Sequence, residues 1–468
     1  MNVPPRTQGR SLQRATHSLF SRDFLLPAQA FLYAESVSGL ALIAAAVSAL
    51  VWANLPFGGD TYGRFWHATV SLDLGVVTIE ETLQHWVNDG LMTIFFFVVG
   101  LEIKRELLHG ELAGRARAAL PAAAALGGMI VPALIYLSFN PTGTEQDGWG
   151  IVIATDIAFA VGVLALLSRY VPQQARVFLL AVAIFDDMAA IGVIAVFFTD
   201  DISWQAVFVA AGIGALLFAL RRAIVDNLAL LTVVGLVFWA AVFESGIHAT
   251  VAGVALAALV PSRPMVSQGG FLAAGRELLG RFGRAVESDS AGEADMVLGQ
   301  LEEAARDTEA PLERLERSLH PLSSFVVIPI FALANAGIDI SGGTFGNVFT
   351  TSIGLGVLLG LTVGKPLGIV AATWLATRTG LGVLPAGVGP REVIGLGLLA
   401  GIGFTVSIFV TTLALTDPEQ IDLAKAAIFV AFLASSAAGF VFLRLGPGAP
   451  ARQGAARASE EIPGRSDV

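Results

Sequence analysis

Three aspartates and one lysine stand in this sequence where charge is costly. Asp156 lies in Ala154-Thr155-Asp156-Ile157-Ala158-Phe159-Ala160, and Asp186 and Asp187 in Ile184-Phe185-Asp186-Asp187-Met188. Lys365 lies in Val363-Gly364-Lys365-Pro366-Leu367-Gly368. Each falls inside an apolar run of about 20 residues, the length that crosses a hydrocarbon core. A charge at that depth costs roughly 2.5–3.5 kcal/mol, so four uncompensated charges would cost roughly 10 kcal/mol. These groups must pair, take protons or line a wet cavity. Three carboxylates against one ammonium leave an excess of negative charge, which attracts protons or a cation. Neighbouring residues on a helix project about 100° apart. Asp186 and Asp187 are therefore inequivalent: one can face a neighbouring helix while the other faces a cavity. Lys365 can pair with one aspartate and leave the other open. A purely structural lock would fit a single Asp–Lys pair, but not this excess.

The elements that hold these residues are membrane spans. Of 468 residues 55% are hydrophobic and 14% charged, and the mean hydropathy is +0.72. Soluble domains carry about 25% charged residues. Twelve apolar runs qualify, near 36–56, 88–107, 117–138, 150–168, 175–199, 204–221, 227–243, 246–261, 320–337, 350–374, 392–415 and 421–444. Basic residues collect in alternate loops, after the second, fourth, sixth, eighth, tenth and twelfth runs. The loops between, such as the turn at Asp200-Asp201, are acidic, with Arg64 their one basic residue. Positive residues mark the cytoplasmic side, so both termini are expected inside. The expected organisation is a cytoplasmic tail over 1–35, a transmembrane domain over 36–444 and a disordered cytoplasmic tail over 445–468. Two long connections interrupt it. Residues 57–87 form an external loop, and 262–318 a cytoplasmic one in which Met296 to Leu319 reads as one amphipathic helix. The formal net charge of −10 argues against nucleic acid as a partner. The absence of cysteine excludes disulfides and thiolate metal sites.

Two runs have weak points. The eleventh contains Gly395, Gly397, Gly401 and Gly403, followed by Thr405 and Ser407, and the fourth carries Thr155-Asp156 between Gly150 and Gly162. Glycine lets a helix open, and paired interruptions in two halves of a chain point to a transport site. Spans three to five and ten to twelve would be those halves, as inverted-topology repeats. Opened half-helices expose partial charges at their ends. Asp156 can offset converging positive ends and Lys365 the negative ones.

At this point the sequence resembles the bacterial NhaA-type Na⁺/H⁺ antiporter family, from about residue 30 to 444 apart from much of 265–308. The motifs are Phe95-Phe96-Phe97-Val98-Val99-Gly100-Leu101-Glu102-Ile103-Lys104-Arg105-Glu106, Ala154-Thr155-Asp156-Ile157-Ala158-Phe159 and Phe185-Asp186-Asp187. With them stand Ser245-Gly246-Ile247-His248-Ala249-Thr250, Leu319-His320-Pro321, Phe331-Ala332-Leu333-Ala334-Asn335-Ala336-Gly337, Gly364-Lys365-Pro366-Leu367-Gly368 and Gly401-Ile402-Gly403-Phe404-Thr405. The resemblance implies an all-α polytopic fold of about twelve helices, with spans four and eleven interrupted. It implies an ion site at Asp186 and Asp187, with Asp187 the main Na⁺ ligand, and Thr155 and Asp156 at the helix crossing. Lys365 is implied to pair with Asp186. A cytoplasmic pH-sensing cluster is implied at Glu102, Arg105, Glu106, Glu316 and His320, with His248 also linked to the pH response. Arg317 stands where that family often has histidine, and Glu313 where it has a basic residue, so the pH set-point is open.

The implied activity is electrogenic, pH-regulated export of Na⁺, and of Li⁺ with it, in exchange for H⁺ across the inner membrane. Protons and Na⁺ would compete for the same oxygens, since Na⁺ is a hard cation that suits carboxylate, hydroxyl and carbonyl ligands. No cofactor and no enzymatic activity are expected. The partners expected are Na⁺, protons and the lipid bilayer, with a homodimer left open. A transporter of the same fold with another cargo, such as Li⁺, K⁺ or an organic anion, is the alternative. An intramembrane aspartyl protease would need Gly-x-Gly-Asp, which neither Asp156 nor Asp187 has. A retinal-type pump with Lys365 as Schiff base conflicts with twelve spans and the Gly-Lys-Pro context.

Overall fold

Within hydrocarbon a chain must satisfy its own backbone polar groups, and a helix does so within one segment. The computed structural model of the chain is correspondingly helical. It describes residues 38–445, except 57–58, 74–77, 111, 200–201, 223–227, 289 and 341–342. The two expected tails, 1–35 and 445–468, lie outside these residues apart from Leu445, and so does the Asp200-Asp201 turn. The helices are α1 (Ser38–Asn54), α2 (Gly59–Trp66), α3 (Leu83–Leu108), α4 (Arg115–Phe139), α5 (Ile157–Leu166) and α6 (Gln173–Phe197). They continue with α7 (Trp204–Arg222), α8 (Leu228–Phe243), α9 (Ala249–Leu259), α10 (Gln268–Glu287) and α11 (Ala291–Thr308). The last are α12 (Pro311–Asn335), α13 (Ser352–Arg378), α14 (Pro390–Ala400), α15 (Phe404–Ala414) and α16 (Pro418–Arg444). Eight described segments are long and apolar enough to cross a membrane, one of them Thr144–Leu166, in which a 3₁₀ stretch over Thr144–Val152 leads into α5, and the bent pair α14–α15 makes a ninth. The expected twelve are reached only by counting α1, α8 and α9, which are shorter apolar helices.

One expectation gains detail and one is corrected. The described part of the external loop folds as α2 and an antiparallel hairpin, β1 (Thr69–Asp73) and β2 (Thr78–Thr82), paired from Thr69↔Thr82 to Asp73↔Thr78. Its threonines, Val70 and Ile79 favour strands. Its indole neighbour Trp86 donates to the Val70 carbonyl at 3.0 Å. The single amphipathic helix expected over 296–319 is two helices, because Pro311 starts α12 and the chain at Glu309-Ala310 is extended. Proline fixes its own φ and pushes the residue before it out of the helical region. Leucine spacing continues across this break, which is why periodicity alone misses it.

Two spans widen by one residue next to a proline. In α13 the Lys365 N–H bonds back five residues to the Gly360 carbonyl, and in α12 Ile328 does the same to Ser323. Pro366 and Pro329 follow directly; each lacks an N–H, so the regular ladder fails there. Such widened turns rotate the following side chains and recur at functional sites. Around Lys365, α13 lies almost backbone-to-backbone on α4. A Cβ on Gly128 would stand 2.8 Å from Ile369 Cγ1, and one on Gly364 would stand 2.7 Å from Pro132 Cα. Only glycine permits that approach.

Candidate functional site

The backbone leaves helical geometry twice in mid-fold, over 153–156 before α5 and over 401–403 between α14 and α15, where the axis bends by 47°. The two breaks lie against each other. The Asp156 N–H donates to the Ile402 carbonyl at 2.6 Å. The Asp156 carboxylate then serves two helix starts at once. It accepts from the Phe159 N–H of α5 at 3.2 Å, and from the N–H and hydroxyl of Thr405 in α15 at 3.1 and 2.6 Å. Positive partial charge at both N-termini meets the carboxylate.

Exposed carbonyl ends are met by donors. The Lys365 ammonium donates to the Ile153 carbonyl and lies 2.9 Å from Asp186 Oδ2, with both side chains fully buried. Thr155 Oγ1 sits 2.7 Å from Asp186 Oδ2 and 3.0 Å from the Ala400 carbonyl at the end of α14. The Ser407 hydroxyl donates to the Ile151 carbonyl at 2.6 Å.

Asp186 and Asp187 point differently, as adjacent helix positions must. Asp186 faces Lys365 and Thr155, while Asp187 lines a cavity of about 70 Å³. That volume holds several waters, each needing about 10–15 Å³. Thr155, Asp156, Thr405, Glu102 and His320 share the wall. Asp187 Oδ1 is buried with no hydrogen-bond partner, as is Asp186 Oδ1. The structure thus brings Thr155, Asp156, Asp186, Asp187 and Lys365 into one constellation. Asp156 is already held by three donors, so Asp187 is the cavity carboxylate with an uncommitted buried oxygen. Among the described residues no three His, Cys, Asp or Glu side chains converge with metal-holding geometry. A cation here would rely on one or two carboxylates completed by hydroxyl, carbonyl or water oxygens, the donor set of a hard cation.

The second group of expected residues lies toward the end of α3. Arg105 forms an ion pair with Glu316 and a 2.9 Å pair with Glu106. Glu102 and His320 reach the Asp187 cavity from the same two helices, so this cluster and the aspartate constellation share a wall. Arg317 turns away to pair with Glu309 at 2.6 Å, and Glu313 is exposed. His248 lies apart. Its Nδ1 is 3.8 Å from Asp89, at the opposite end of α3 from Glu102, and its ring packs edge-on to Phe409.

Sequence reasoning passed over three charges, two of them buried. Asp89, at the edge of its span, joins His85 and His248. Glu392 is buried and accepts from the Gly389 N–H at 2.8 Å as a helix cap, a role readable from Gly389-Pro390 preceding it. Lys425 is buried within α16 three residues after Asp422, a spacing that itself announces a neighbour.

A family model described as Na⁺/H⁺ antiporter 1 matches residues 29–443. A Sorangium cellulosum protein named Na(+)/H(+) antiporter NhaA 2 is 47% identical over 446 residues, covering 95% of this chain and 94% of its own. A Myxococcus xanthus protein of the same name is 43% identical, covering 93% and 92%. The Na(+)/H(+) antiporter NhaA of Oleidesulfovibrio alaskensis is 42% identical, covering 90% and 94%. With a family match over nearly its whole length and relatives at this identity, the chain belongs to the Na⁺/H⁺ antiporter 1 family.

Proposed function

We propose that this chain is a secondary active antiporter, a transporter and not an enzyme, that expels Na⁺, and Li⁺ with it, in exchange for H⁺. It works in the bacterial inner membrane with both termini cytoplasmic, as the alternation of loop charge suggests. One observation carries the reading: Asp187 presents an unpartnered buried oxygen to a cavity that holds several waters, while its neighbour Asp186 is held by Lys365. A carboxylate so placed binds a proton or a cation, and each displaces the other.

Asp187 is the main Na⁺ ligand in this scheme, with Asp186 and Thr155 completing the site as it loads. Asp156 stays with its three donors and holds the crossing of the broken spans. Lys365 offsets Asp186 and the Ile153 carbonyl. Movement of one bundle against the other exposes the loaded site to the opposite face. Glu102, Arg105, Glu106, Glu316 and His320 set the pH response through the shared cavity wall, and His248 contributes from the far end of α3.

Asp187→Asn keeps size and shape but removes the exchangeable charge. In everted vesicles carrying a pH-sensitive dye, Na⁺-induced dequenching should fall by at least about 100-fold, as when a group indispensable to the reaction is lost. Unimpaired Na⁺-dependent proton flux in that variant would refute the assignment. Dequenching of the unaltered protein by K⁺ but not by Na⁺ would move the reading to another cargo.

A further inference from the structure

The Asp187 cavity has polar groups on its α12 wall that the aspartate constellation does not use. That wall is made by His320, Ser323, Ser324 and Ile328. In a regular helix five residues turn through about 500°, which would set Ser323 and Ile328 about 140° apart. The widened turn, in which the Ile328 N–H bonds to the Ser323 carbonyl, brings both to the cavity side. Leu322, Phe325 and Val326 are exposed on the other face.

Ser323 is 3% exposed, yet the fold does not use its hydroxyl. A serine or threonine inside a span commonly donates to a carbonyl one turn back. Thr362, Thr377 and Thr411 do so, to Leu358, Thr373 and Ser407 at 2.6, 3.0 and 2.8 Å. Among the described residues the Ser323 hydroxyl has no hydrogen-bond partner. A hydroxyl taken out of water without a partner costs free energy. The cavity of about 70 Å³ is what meets it.

A second uncommitted group lines the same space from α3. Glu102 forms no ion pair among the described residues, because Arg105, one turn on, is taken by Glu106 and Glu316. Ser323 stands one turn beyond His320. Both groups therefore lie between the Arg105 cluster and the aspartates. A carboxylate and a hydroxyl with water between them are hard-cation donors, and affinity falls as charged ligands are fewer. One carboxylate holds an ion more loosely than the Asp186–Asp187 pair, so an ion here keeps part of its water and moves on.

We propose that Ser323 and Glu102 form a second, weaker cation subsite in the cavity, where Na⁺ is held partly hydrated next to Asp187. Ser323 then helps to set the apparent affinity for Na⁺. This rests on the antiport reading and adds a ligand to it.

Na⁺-dependent dequenching in everted vesicles gives KM and maximal rate, each variant being measured at its own pH optimum. Ser323→Ala should raise KM for Na⁺ about 5–10-fold, the loss of one ligand contact, and leave the maximal rate within about twofold. Ser323→Thr keeps the hydroxyl and should return KM to the parent value. Ser318→Ala is the control on the same helix, since Ser318 is exposed and bonds the Leu315 carbonyl. It should change neither quantity. Glu102→Gln should raise KM too, and the double variant by less than the product of the two factors, as for two ligands of one ion. An unchanged KM in Ser323→Ala overturns the proposal. So does a fall in maximal rate alone, which marks a packing role, or a double variant whose factors multiply. Asp187→Asn run in parallel separates the two readings. Full flux in that variant removes the antiport assignment itself, whereas lost flux there with a parental KM in Ser323→Ala removes only the subsite.

Discussion

The crossing of the broken spans and the α10–α11 pair solve opposite problems. At the crossing, charge is buried and bound: Asp156, Asp186 and Lys365 each have partners, and nearly every exposed backbone end is met by a side chain. In α10 and α11, which pack chiefly on each other, charge is solvated and Leu272, Leu279, Val286 and Leu298 are exposed. Removing one side of a buried pair strands the other, whereas an exposed contact contributes little. The difference teaches where substitutions in this chain are felt.

Three measurements sharpen that contrast. The largest effect belongs to Lys365→Met, which leaves Asp186 buried beside an apolar side chain. Thermal unfolding in detergent should show a loss of about 3–5 kcal/mol. Adding Asp186→Asn to Lys365→Met should recover much of the loss without restoring transport. If the double variant is as unstable as the single, the pair is not what holds these spans. Thr405→Val comes next. It keeps the shape but removes the hydroxyl that donates to Asp156 at 2.6 Å, a charged-acceptor bond worth roughly 1.5–3 kcal/mol. A denaturation midpoint equal to the parent's would show that the Thr405 N–H holds the crossing alone. The smallest effect is expected from Leu279→Ser on the open face of α10. Stability should move by no more than about 0.5 kcal/mol, and a larger drop would mean that this face is packed.

Much of the central site was legible because lipid makes charge conspicuous. Asp156, Asp186, Asp187 and Lys365 stand out against apolar neighbours, and the split between Asp186 and Asp187 follows from helix geometry alone. Thr405 was visible as a residue after Gly403, but its bond to Asp156 was not, because the two are joined by a tertiary crossing 249 positions apart in sequence. The same holds for the link between His248, which precedes α9, and Asp89 in α3. The α11–α12 boundary was lost for a different reason: leucine spacing runs smoothly through a point where Pro311 dictates the backbone. The open face of α10 needed the fold, since the sevenfold spacing of Leu272, Leu279 and Val286 announces a seam without saying whether it is already filled.

The bond from the Asp156 N–H to Ile402, together with those from Thr405 to the Asp156 carboxylate, has a consequence for motion. These bonds rivet the two interrupted spans at their midpoints, so neither can travel without the other. The surfaces left free to slide are then the unriveted walls of the Asp187 cavity, Phe95 to Glu102 on α3 and Ser323 to Ile328 on α12. An opening toward water that keeps these bonds would shear along them, and the widened turn of α12 at Ser323 puts a departure from the regular helical ladder on that boundary.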